Sequence, residues 1–227
     1  MESQVRGGTR WKRFALVMVP SVAATAAIGI GLAQGALAAS FSVSGVDFKV
    51  TADQLVGHNM LQYGSIASGA GQNHPVVVSG FNHAEITNMC QSVVTPLPIK
   101  IPGIGDHVTM TIEAGGTPGK PVVAENIYLD VAQLDTDATF KNIDIGVAAG
   151  EGQGTGDERV EIQPGKKGTP GESPSQYGFA QRAKEVVLDR VEQRAWATTA
   201  ASFKLNGLKL RLSGGVNECQ LSKPKPH

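Results

Sequence analysis

Apolar and polar residues alternate along most of the chain, as they do in β-strands with one buried face. In FSVSGVDFKV the apolar residues occupy odd positions up to Val43 and even positions from Val46, so the phase changes at Gly45. A phase change at a glycine indicates a bulge or a sharp bend. The same pattern returns in FKLNGLKLRL, which starts at Phe203 and changes phase at Gly207. Both segments are therefore predicted to be bent strands.

A third segment of this kind, ATFKNIDIGV, changes phase at Asn142. Stretches bounded by Gly, Pro or Asn predict further strands at 75–79, 108–113 and 122–134. Glycine bends curl a sheet rather than leave it flat. The pattern therefore predicts a mainly β fold: a curled antiparallel sheet, sandwich-like or barrel-like. Its apolar face could close into a packed core or stay open as a groove for an apolar ligand.

One segment before the C-terminal strands has a helical pattern instead. Its apolar residues are spaced by four, three, one and four positions: Phe179, Ala183, Val186, Val187 and Val191. This spacing predicts a single helix over residues 177–194. The segment before it, 149–176, is rich in Gly, Pro and charged residues and is predicted to be a long, flexible surface loop.

The N-terminus has the three parts of a secretory signal. Basic residues precede an apolar run over 14–33, and Ala36-Leu37-Ala38 fits the small-x-small cleavage pattern. Cleavage between Ala38 and Ala39 would make the protein secreted, with residues 1–38 as the signal peptide. The alternative is an uncleaved membrane anchor, because about twenty apolar residues can span a bilayer. We expect one β-rich domain over 39–221 and a disordered tail over 222–227.

Charge and composition exclude some classes of function. The chain of 227 residues has 20 basic and 20 acidic residues, and removing the signal leaves 16 and 19. There is no basic excess for binding nucleic acid. With 28 glycines and 5% aromatic residues, the composition suits a β architecture with many turns better than a helical enzyme core.

The chain has two cysteines, Cys90 and Cys219. Beyond the membrane the compartment is oxidising, so we expect one disulfide between them. Two free thiols or an intermolecular bridge are the alternatives, since the sequence does not measure the Cα separation that a bridge needs. A zinc site is not expected, because two cysteines without a neighbouring pair of histidines fall short of four ligands.

No motif for a known catalytic centre is found. The G-x-S-x-G motif of serine hydrolases is absent, and the nearest string, at 64–69, has the wrong spacing. The glycines of 146–156 lack the Gly-Lys-Ser/Thr ending of a phosphate loop. We therefore predict no catalytic residue, no metal and no cofactor, and an enzyme is the less favoured reading.

The histidines and aspartates are the candidate site residues. His58, His74 and His107 are scattered, whereas His83 lies two residues before Glu85, so both could project from one face of a strand as an acid/base or metal pair. An exposed polar face is the preferred interpretation of that pair. The stretch from 129 to 145 has an acidic stripe without the calcium-loop pattern, and turns explain its carboxylates adequately. The stripe consists of Asp130, Asp135, Asp137 and Asp144.

Several segments resemble an uncharacterised family of exported actinomycete proteins, whose members are often machine-labelled cholesterol esterase. The similar segments are the signal followed by ASFSVSG, NMCQSVVTP, AENIYLDV, NIDIGVAAG and AWATTAASFKL. The resemblance implies secretion more firmly than catalysis, because no serine nucleophile motif is present to support the label.

These observations predict a secreted, disulfide-bonded β protein of the cell envelope or extracellular space that acts by binding or assembly. An apolar ligand, lipid above all, is the expected partner. Membrane contact is expected only through an uncleaved signal segment. The alternatives are a lipid-ester hydrolase with a non-standard site and a structural surface protein that assembles through exposed strands.

Overall fold

The computed structural model describes residues 44–163 and 175–221. These residues form eight strands and almost no helix, which confirms the mainly β class. The strands predicted at 75–79, 108–113 and 122–134 lie within β2, β4 and β5. In chain order, β1 to β8 are Phe48–Gly69, Gln72–Thr87, Met89–Ile101, Gly105–Ala114, Val122–Ala148, Phe179–Thr199, Ser202–Lys204 and Lys209–Gly214.

Four long strands close into an antiparallel barrel. β1 pairs with β2, β2 with β5, β5 with β6, and β6 with β1 again. Their lengths in chain order are 22, 16, 27 and 21 residues. A closed sheet of only four strands is strongly curved, so strands of this length have to bend.

Asparagines lie where the barrel strands bend. Asn59, Asn126 and Asn142 have φ values of 50°, 47° and 53°. The strand pairing is interrupted at Asn59, Asn82 and Asn142, which lie at one level around the barrel. Asparagine enters the left-handed region more readily than other non-glycine residues. Asn126 lies opposite Asn82, and these four asparagines are hereafter the asparagine belt. The three with positive φ accommodate bends of neighbouring strands, and one of them, Asn142, is at the predicted phase change.

The buried side chains form two clusters on opposite faces of the sheet. Ile127 of β5 belongs to the first and the next residue, Tyr128, to the second. The second cluster includes Val160 and Ile162 from the segment predicted to be a surface loop, and both are buried. The beginning of that segment therefore covers the barrel. It contains two single-turn 3-10 helices, Ala149–Glu151 and Gly156–Glu158.

Several predictions fall outside the described residues. They are the cleavage site at Ala38 and Ala39, the strand pattern before residue 44, the part of the predicted loop at 164–174, and the tail 222–227. Gly45, where the first phase change was predicted, has φ of 78°. Within the described ranges, no helix has the length and apolar character needed to cross a membrane.

The sheet continues beyond the barrel as β3, β4 and β8, hereafter the outer sheet. β3 pairs with the start of β1, β4 with β3, and β8 with β4, so β8 is the outermost strand. β7 pairs separately with β5. The segment FKLNGLKLRL is therefore divided between β7 and β8, and the turn between them contains Gly207 with φ of 70°. The bend predicted at this glycine is confirmed.

The helix predicted over 177–194 is wrong, because most of this stretch belongs to β6, Phe179–Thr199. Buried residues along β6 are two positions apart in many places and three apart where the strand is irregular. Leu188 and Val191, for example, lie on either side of Arg190, whose φ is 56°. Intervals of three belong to the helical pattern as well. The bends of a long strand therefore produced an apolar spacing like that of a helix.

Candidate functional site

The predicted disulfide joins Cys90 of β3 to Cys219, with Cα atoms 5.9 Å apart. It attaches the C-terminal segment to one face of the outer sheet. Hydrogen bonds support the attachment: the Cys219 N–H donates to Ser92 Oγ at 3.0 Å, and the Asn217 N–H donates to Thr109 Oγ1 at 3.0 Å. The C-terminal segment therefore covers part of this face, hereafter the polar face.

Arg194 of β6 ties the same segment to the barrel. Its guanidinium donates two hydrogen bonds to Glu218, at 2.7 and 2.8 Å, and one to Asp47, at 3.0 Å. Such charge-assisted contacts favour the protonated form, so Glu218 and Asp47 raise the pKa of Arg194 above its ordinary value. The segments before β1 and after β8 are thus both held beside β6.

A cleft of about 810 Å³ runs along the polar face. Arg211 and Glu113 form an ion pair across β8 and β4 at 3.2 Å. Because basic and acidic side chains both line the cleft, it favours neither an anion nor a cation. Its charged lining residues are Asp53, Glu113, Lys209, Arg211 and Glu218.

The opposite face of the outer sheet is apolar. Leu212 lies opposite Met110, which lies opposite Val93, and Leu210 lies opposite Ile112. Side chains of directly paired residues share a face. The exposed fractions of Leu212, Leu210 and Met110 are 70%, 62% and 36%. The apolar face is defined here as Val93, Val108, Met110, Ile112, Leu210 and Leu212.

The apolar surface continues around the ends of the outer sheet. Ile99, Ile101 and Ile104 are exposed at the β3–β4 hairpin, and Leu208 and Val216 are exposed on either side of β8. Within the described residues, eight of the twelve exposed large hydrophobic side chains belong to the outer sheet and its connections. Single exposed apolar residues are normal, so it is their grouping on the outer sheet and its connections that makes this part of the fold distinct.

The barrel interior is packed. A cavity of about 30 Å³ lies among core residues that include Leu55, Ile86 and Ile127. This volume holds about one water molecule and is far too small for an acyl chain. The curled sheet was expected to form either a packed core or an open apolar groove. The barrel has a packed core at this point, and the open apolar surface lies on the outer sheet.

His83 and Glu85, the candidate acid/base or metal pair, do lie close together. The Nε2 atom of His83 is 3.7 Å from Glu85, and its Nδ1 atom is 2.8 Å from a second carboxylate, Glu125 of β5. All three side chains are partly exposed. The pair thus belongs to a polar row on the barrel, as the preferred interpretation expected.

The row extends around the barrel beside the asparagine belt. His58 of β1 is paired with His83, and their ring centroids are 5.9 Å apart. Glu185 of β6 is paired with His58, and Lys141 of β5 with Glu185. A hydrogen bond from Lys141 holds the pKa of Glu185 below its ordinary value. The row therefore consists of cross-strand pairs of titratable residues.

The remaining histidine candidates have different contacts. His74 stacks on Trp196, with ring centroids 3.5 Å apart. The Nδ1 atom of His107 is 2.8 Å from Asp106, and this hydrogen bond lowers the pKa of Asp106. These partners are an indole and a carboxylate rather than a serine. The hydrolase alternative therefore gains no support from these two histidines.

The acidic stripe is dispersed in the fold. Asp130 is buried, Asp135 accepts a hydrogen bond from Gln133 at 2.7 Å, and Asp144 forms an ion pair with Arg182 at 3.0 Å. In the part of the chain that the structure describes, no group of His, Cys, Asp or Glu is arranged to hold a metal ion.

Two tyrosines are buried in the second cluster. Burial raises the pKa of Tyr128 to about 12 and also raises the pKa of Tyr63. The Tyr63 hydroxyl accepts a hydrogen bond from the Gln163 N–H at 2.8 Å. These tyrosines help to hold the segment after β5 against the barrel.

Sequence analysis did not single out Leu210 and Leu212 as exposed site residues. The sequence did indicate a strand with one apolar and one basic face, because leucines alternate with Lys209 and Arg211. The same alternation occurs in strands with a covered apolar face, so only the position of β8 in the sheet distinguishes the two cases.

Comparison with known proteins identifies a family. The model of the "Family of unknown function (DUF6230)" matches residues 44–220. No match was found among curated proteins or among solved structures. The matched range contains the barrel, the outer sheet and both cysteines.

Proposed function

This chain belongs to the DUF6230 family of unknown function, and we propose that it is an exported, non-enzymatic protein that binds lipid on the apolar face of its outer sheet. The exposure of Met110, Leu210 and Leu212 on that one face carries the proposal. Fully burying a leucine side chain is worth about 1.5–3 kcal/mol relative to leaving it exposed. Covering this face with acyl chains would therefore be favourable.

The shape and chemistry of the face favour lipid. Its six apolar residues lie on three neighbouring strands, beside Gln91 and Thr95, which are paired with Ile112 and Val108, so it is an open and mainly apolar surface rather than an enclosed pocket. Acyl chains can cover such a surface without requiring hydrogen bonds from it. The packed barrel, with its small internal cavity, makes the outer sheet the better candidate for lipid binding.

The free edge of β8 is the alternative docking site, with a second copy of the chain as its occupant. The Gly215 N–H donates to His107 O at 2.8 Å, in register with the β4–β8 pairing. Hydrogen-bonded pairs alternate along an antiparallel ladder. The odd-numbered residues of β8 therefore bond to β4, and Leu210 and Leu212 direct their backbone N–H and C=O groups outwards.

Pairing of this edge with its own copy is disfavoured by charge. A register centred on Arg211 would place two copies of that residue opposite each other, and one centred on Leu210 would place Arg211 opposite Lys209. Nearer the end of β8, the Gly214 carbonyl already accepts a hydrogen bond from Asn217 Nδ2 at 2.9 Å. Lipid is therefore a better candidate than a second copy.

Export is part of the proposal for two reasons. The N-terminal sequence has the charge, apolar run and cleavage pattern of a secretory signal, with Ala38 and Ala39 at the cleavage point. The disulfide between Cys90 and Cys219 belongs to the chemistry of oxidising compartments. The proposed place of action is the outer side of the membrane or beyond.

Vesicle flotation tests the proposal. The secreted protein would be mixed with phosphatidylcholine vesicles, alone and with phosphatidylglycerol, and the bound fraction measured against lipid concentration. Leu212→Ser should weaken binding by about tenfold, because it removes about 1.5 kcal/mol or more of apolar burial. Ile145→Ser is the matched control, since Ile145 is 67% exposed and lies on β5 outside the outer sheet.

Wild-type binding that Leu212→Ser weakens and Ile145→Ser leaves unchanged would support the proposal. Failure of the wild-type protein to float with either vesicle would overturn it. Equal losses in both variants would also count against the apolar face. Thermal unfolding of each variant identifies any loss that is due to misfolding.

A further inference from the structure

The β3–β4 hairpin presents apolar side chains on its surface. Ile99, Ile101 and Ile104 are exposed, and the exposed fraction of Ile99 is 69%. The sequence of residues 96–105, hereafter the hairpin tip, is PLPIKIPGIG. Its one charged residue is Lys100, whose long side chain can hold the ammonium group in a polar layer while its neighbours contact apolar material. The hairpin tip is therefore both exposed and almost free of charge.

The hairpin tip lies at the end of the outer sheet away from the barrel. In the described part of the chain, β3 pairs with β1 of the barrel at residues 90–92, near its other end. A hydrogen bond from the Ile104 N–H to Ile101 O, at 3.1 Å, closes the turn. β8 lies against this turn, since a Cβ atom at Gly214 would be 2.8 Å from Ile104 O. The exposed isoleucines thus belong to a turn with a defined position.

Three prolines limit what can cover the hairpin tip. Pro96, Pro98 and Pro102 have no backbone N–H, so this segment cannot offer the regular donors that a strand of a partner protein would pair with. The tip also contains no aromatic residue and no arginine, the residues enriched in protein interfaces. An acyl layer forms no hydrogen bonds, and a segment with fewer N–H groups enters it at lower cost. The chemistry of the tip therefore fits lipid better than a partner protein.

We infer that the hairpin tip inserts into the acyl layer of a membrane and is the deepest point of contact. This inference rests on the proposed lipid binding and adds the form of the lipid, a bilayer, and the orientation of the protein. Leu212 lies towards the end of β8 that is next to the tip, whereas Leu208 lies just before the opposite end. The outer sheet enters tip first, so depth decreases from Ile99 through Leu212 to Leu208.

Depth-dependent fluorescence quenching tests the inference. Ile99→Trp, Leu212→Trp and Leu208→Trp would each be compared with the wild type on vesicles of phosphatidylcholine and phosphatidylglycerol. The acyl chains carry bromine at either a shallow or a deep carbon. The added emission of Ile99→Trp should be quenched more by the deep label than by the shallow one, and that of Leu208→Trp should change little with either. Leu208 is the matched control, because it is 51% exposed and lies at the other end of the same sheet.

Vesicle flotation provides a second measurement. Ile99→Ser should weaken binding about tenfold, because it removes one large aliphatic side chain from the acyl layer. Leu208→Ser should bind as the wild type does. Thermal unfolding shows whether each variant is folded, and Ile101→Ser replaces Ile99→Ser if the latter is not.

The outcomes separate this inference from the proposal beneath it. Deeper quenching of Ile99→Trp than of Leu208→Trp, with weaker binding of Ile99→Ser, supports the inference. Equal depths for these two tryptophans overturn the assigned orientation. Quenching of Leu212→Trp without quenching of Ile99→Trp overturns insertion of the tip while leaving lipid binding by the apolar face in place. No quenching of any of the three variants, with no flotation of the wild type, overturns both the inference and the proposed function.

Discussion

Asn59 donates a hydrogen bond from Nδ2 to Oδ1 of Asn82, at 3.2 Å, where the pairing of β1 with β2 is interrupted. Asn59 also has φ of 50°, which is costly for most residues with a Cβ atom. Replacing it separates the two roles, because alanine and glycine both remove the hydrogen bond but only glycine tolerates the backbone conformation.

We therefore expect Asn59→Gly to be more stable than Asn59→Ala by about 0.5–1 kcal/mol, although both lose stability relative to the wild type. Urea unfolding of the two variants measures the difference. If Asn59→Ala proves as stable as Asn59→Gly, backbone strain at this position does not explain the choice of asparagine.

Gly80 provides a second test of the barrel. It is paired with Tyr128, and a Cβ atom at Gly80 would lie 2.8 Å from Tyr128 Cε1. Gly80→Ala should lower the free energy of unfolding by about 1–3 kcal/mol, because the ring has to move within a packed cluster. Gly64→Ala is the control, since a Cβ atom there has nothing within 4 Å. Thermal unfolding that ranks Gly64→Ala as the more damaged variant would contradict this packing account.

The disulfide closes a long loop, because Cys90 and Cys219 are 129 residues apart in sequence. On the chain-entropy model, a loop of about this length stabilises the fold by about 4–5 kcal/mol. The Cys90→Ser/Cys219→Ser double variant should lose most of this free energy of unfolding in urea titrations. Treating the wild type with reductant should give a similar loss. A reduced protein as stable as the oxidised one would show that the bridge does not support the outer sheet.

The raised pKa of the Tyr128 hydroxyl predicts that the protein loses stability at alkaline pH. Its ordinary pKa of 10.0 is raised by burial to about 12, and the unfolded chain ionises near the ordinary value. Stability from this group is therefore complete below pH 10 and falls as the pH rises from 10 towards 12. The pKa of Tyr63 is raised too, so that residue acts in the same direction.

Tyr128→Phe cannot ionise, so its urea midpoint should fall less steeply between neutral pH and about pH 11 than that of the wild type. The comparison uses the slope with pH, because the substitution itself changes stability at every pH. Parallel curves for the two proteins would mean that Tyr128 is not a source of the alkaline transition.

Local patterns predicted much of the fold. The phase change at Gly207 predicted the bend between β7 and β8, and the phase change at Asn142 coincides with a residue of positive φ. Each of these features depends on a few consecutive residues. The cysteine pair was predictable for another reason, since a chain with two cysteines allows one intramolecular bridge.

The closed barrel could not be derived in this way. β5 pairs on one side with β2 and on the other with β6, across long separations in sequence. The asparagine belt becomes visible only once those pairings place Asn59, Asn82 and Asn142 at one level. The irregularity at Arg190 is likewise a feature of the paired strand, and it gives the apolar residues of β6 a helix-like spacing in the sequence.

The exposure of the apolar face could not be predicted from the sequence either. β8 has an alternating pattern that also fits a strand covered on one side, so its leucines could have been core residues. Their exposure follows from the order of β3, β4 and β8 in the outer sheet. The expectation of an apolar ligand came from the pattern, whereas the candidate surface came from the topology.

The most direct test of the proposed lipid contact is fluorescence quenching by brominated acyl chains. A tryptophan would be placed on the apolar face in Leu212→Trp and on the polar face in Arg211→Trp, with Trp196 giving the common background. On vesicles of phosphatidylcholine and phosphatidylglycerol, the added emission of Leu212→Trp should shift to shorter wavelength and be quenched, while that of Arg211→Trp should change much less. Equal quenching at the two positions, or none at Leu212→Trp, would contradict lipid binding by the apolar face.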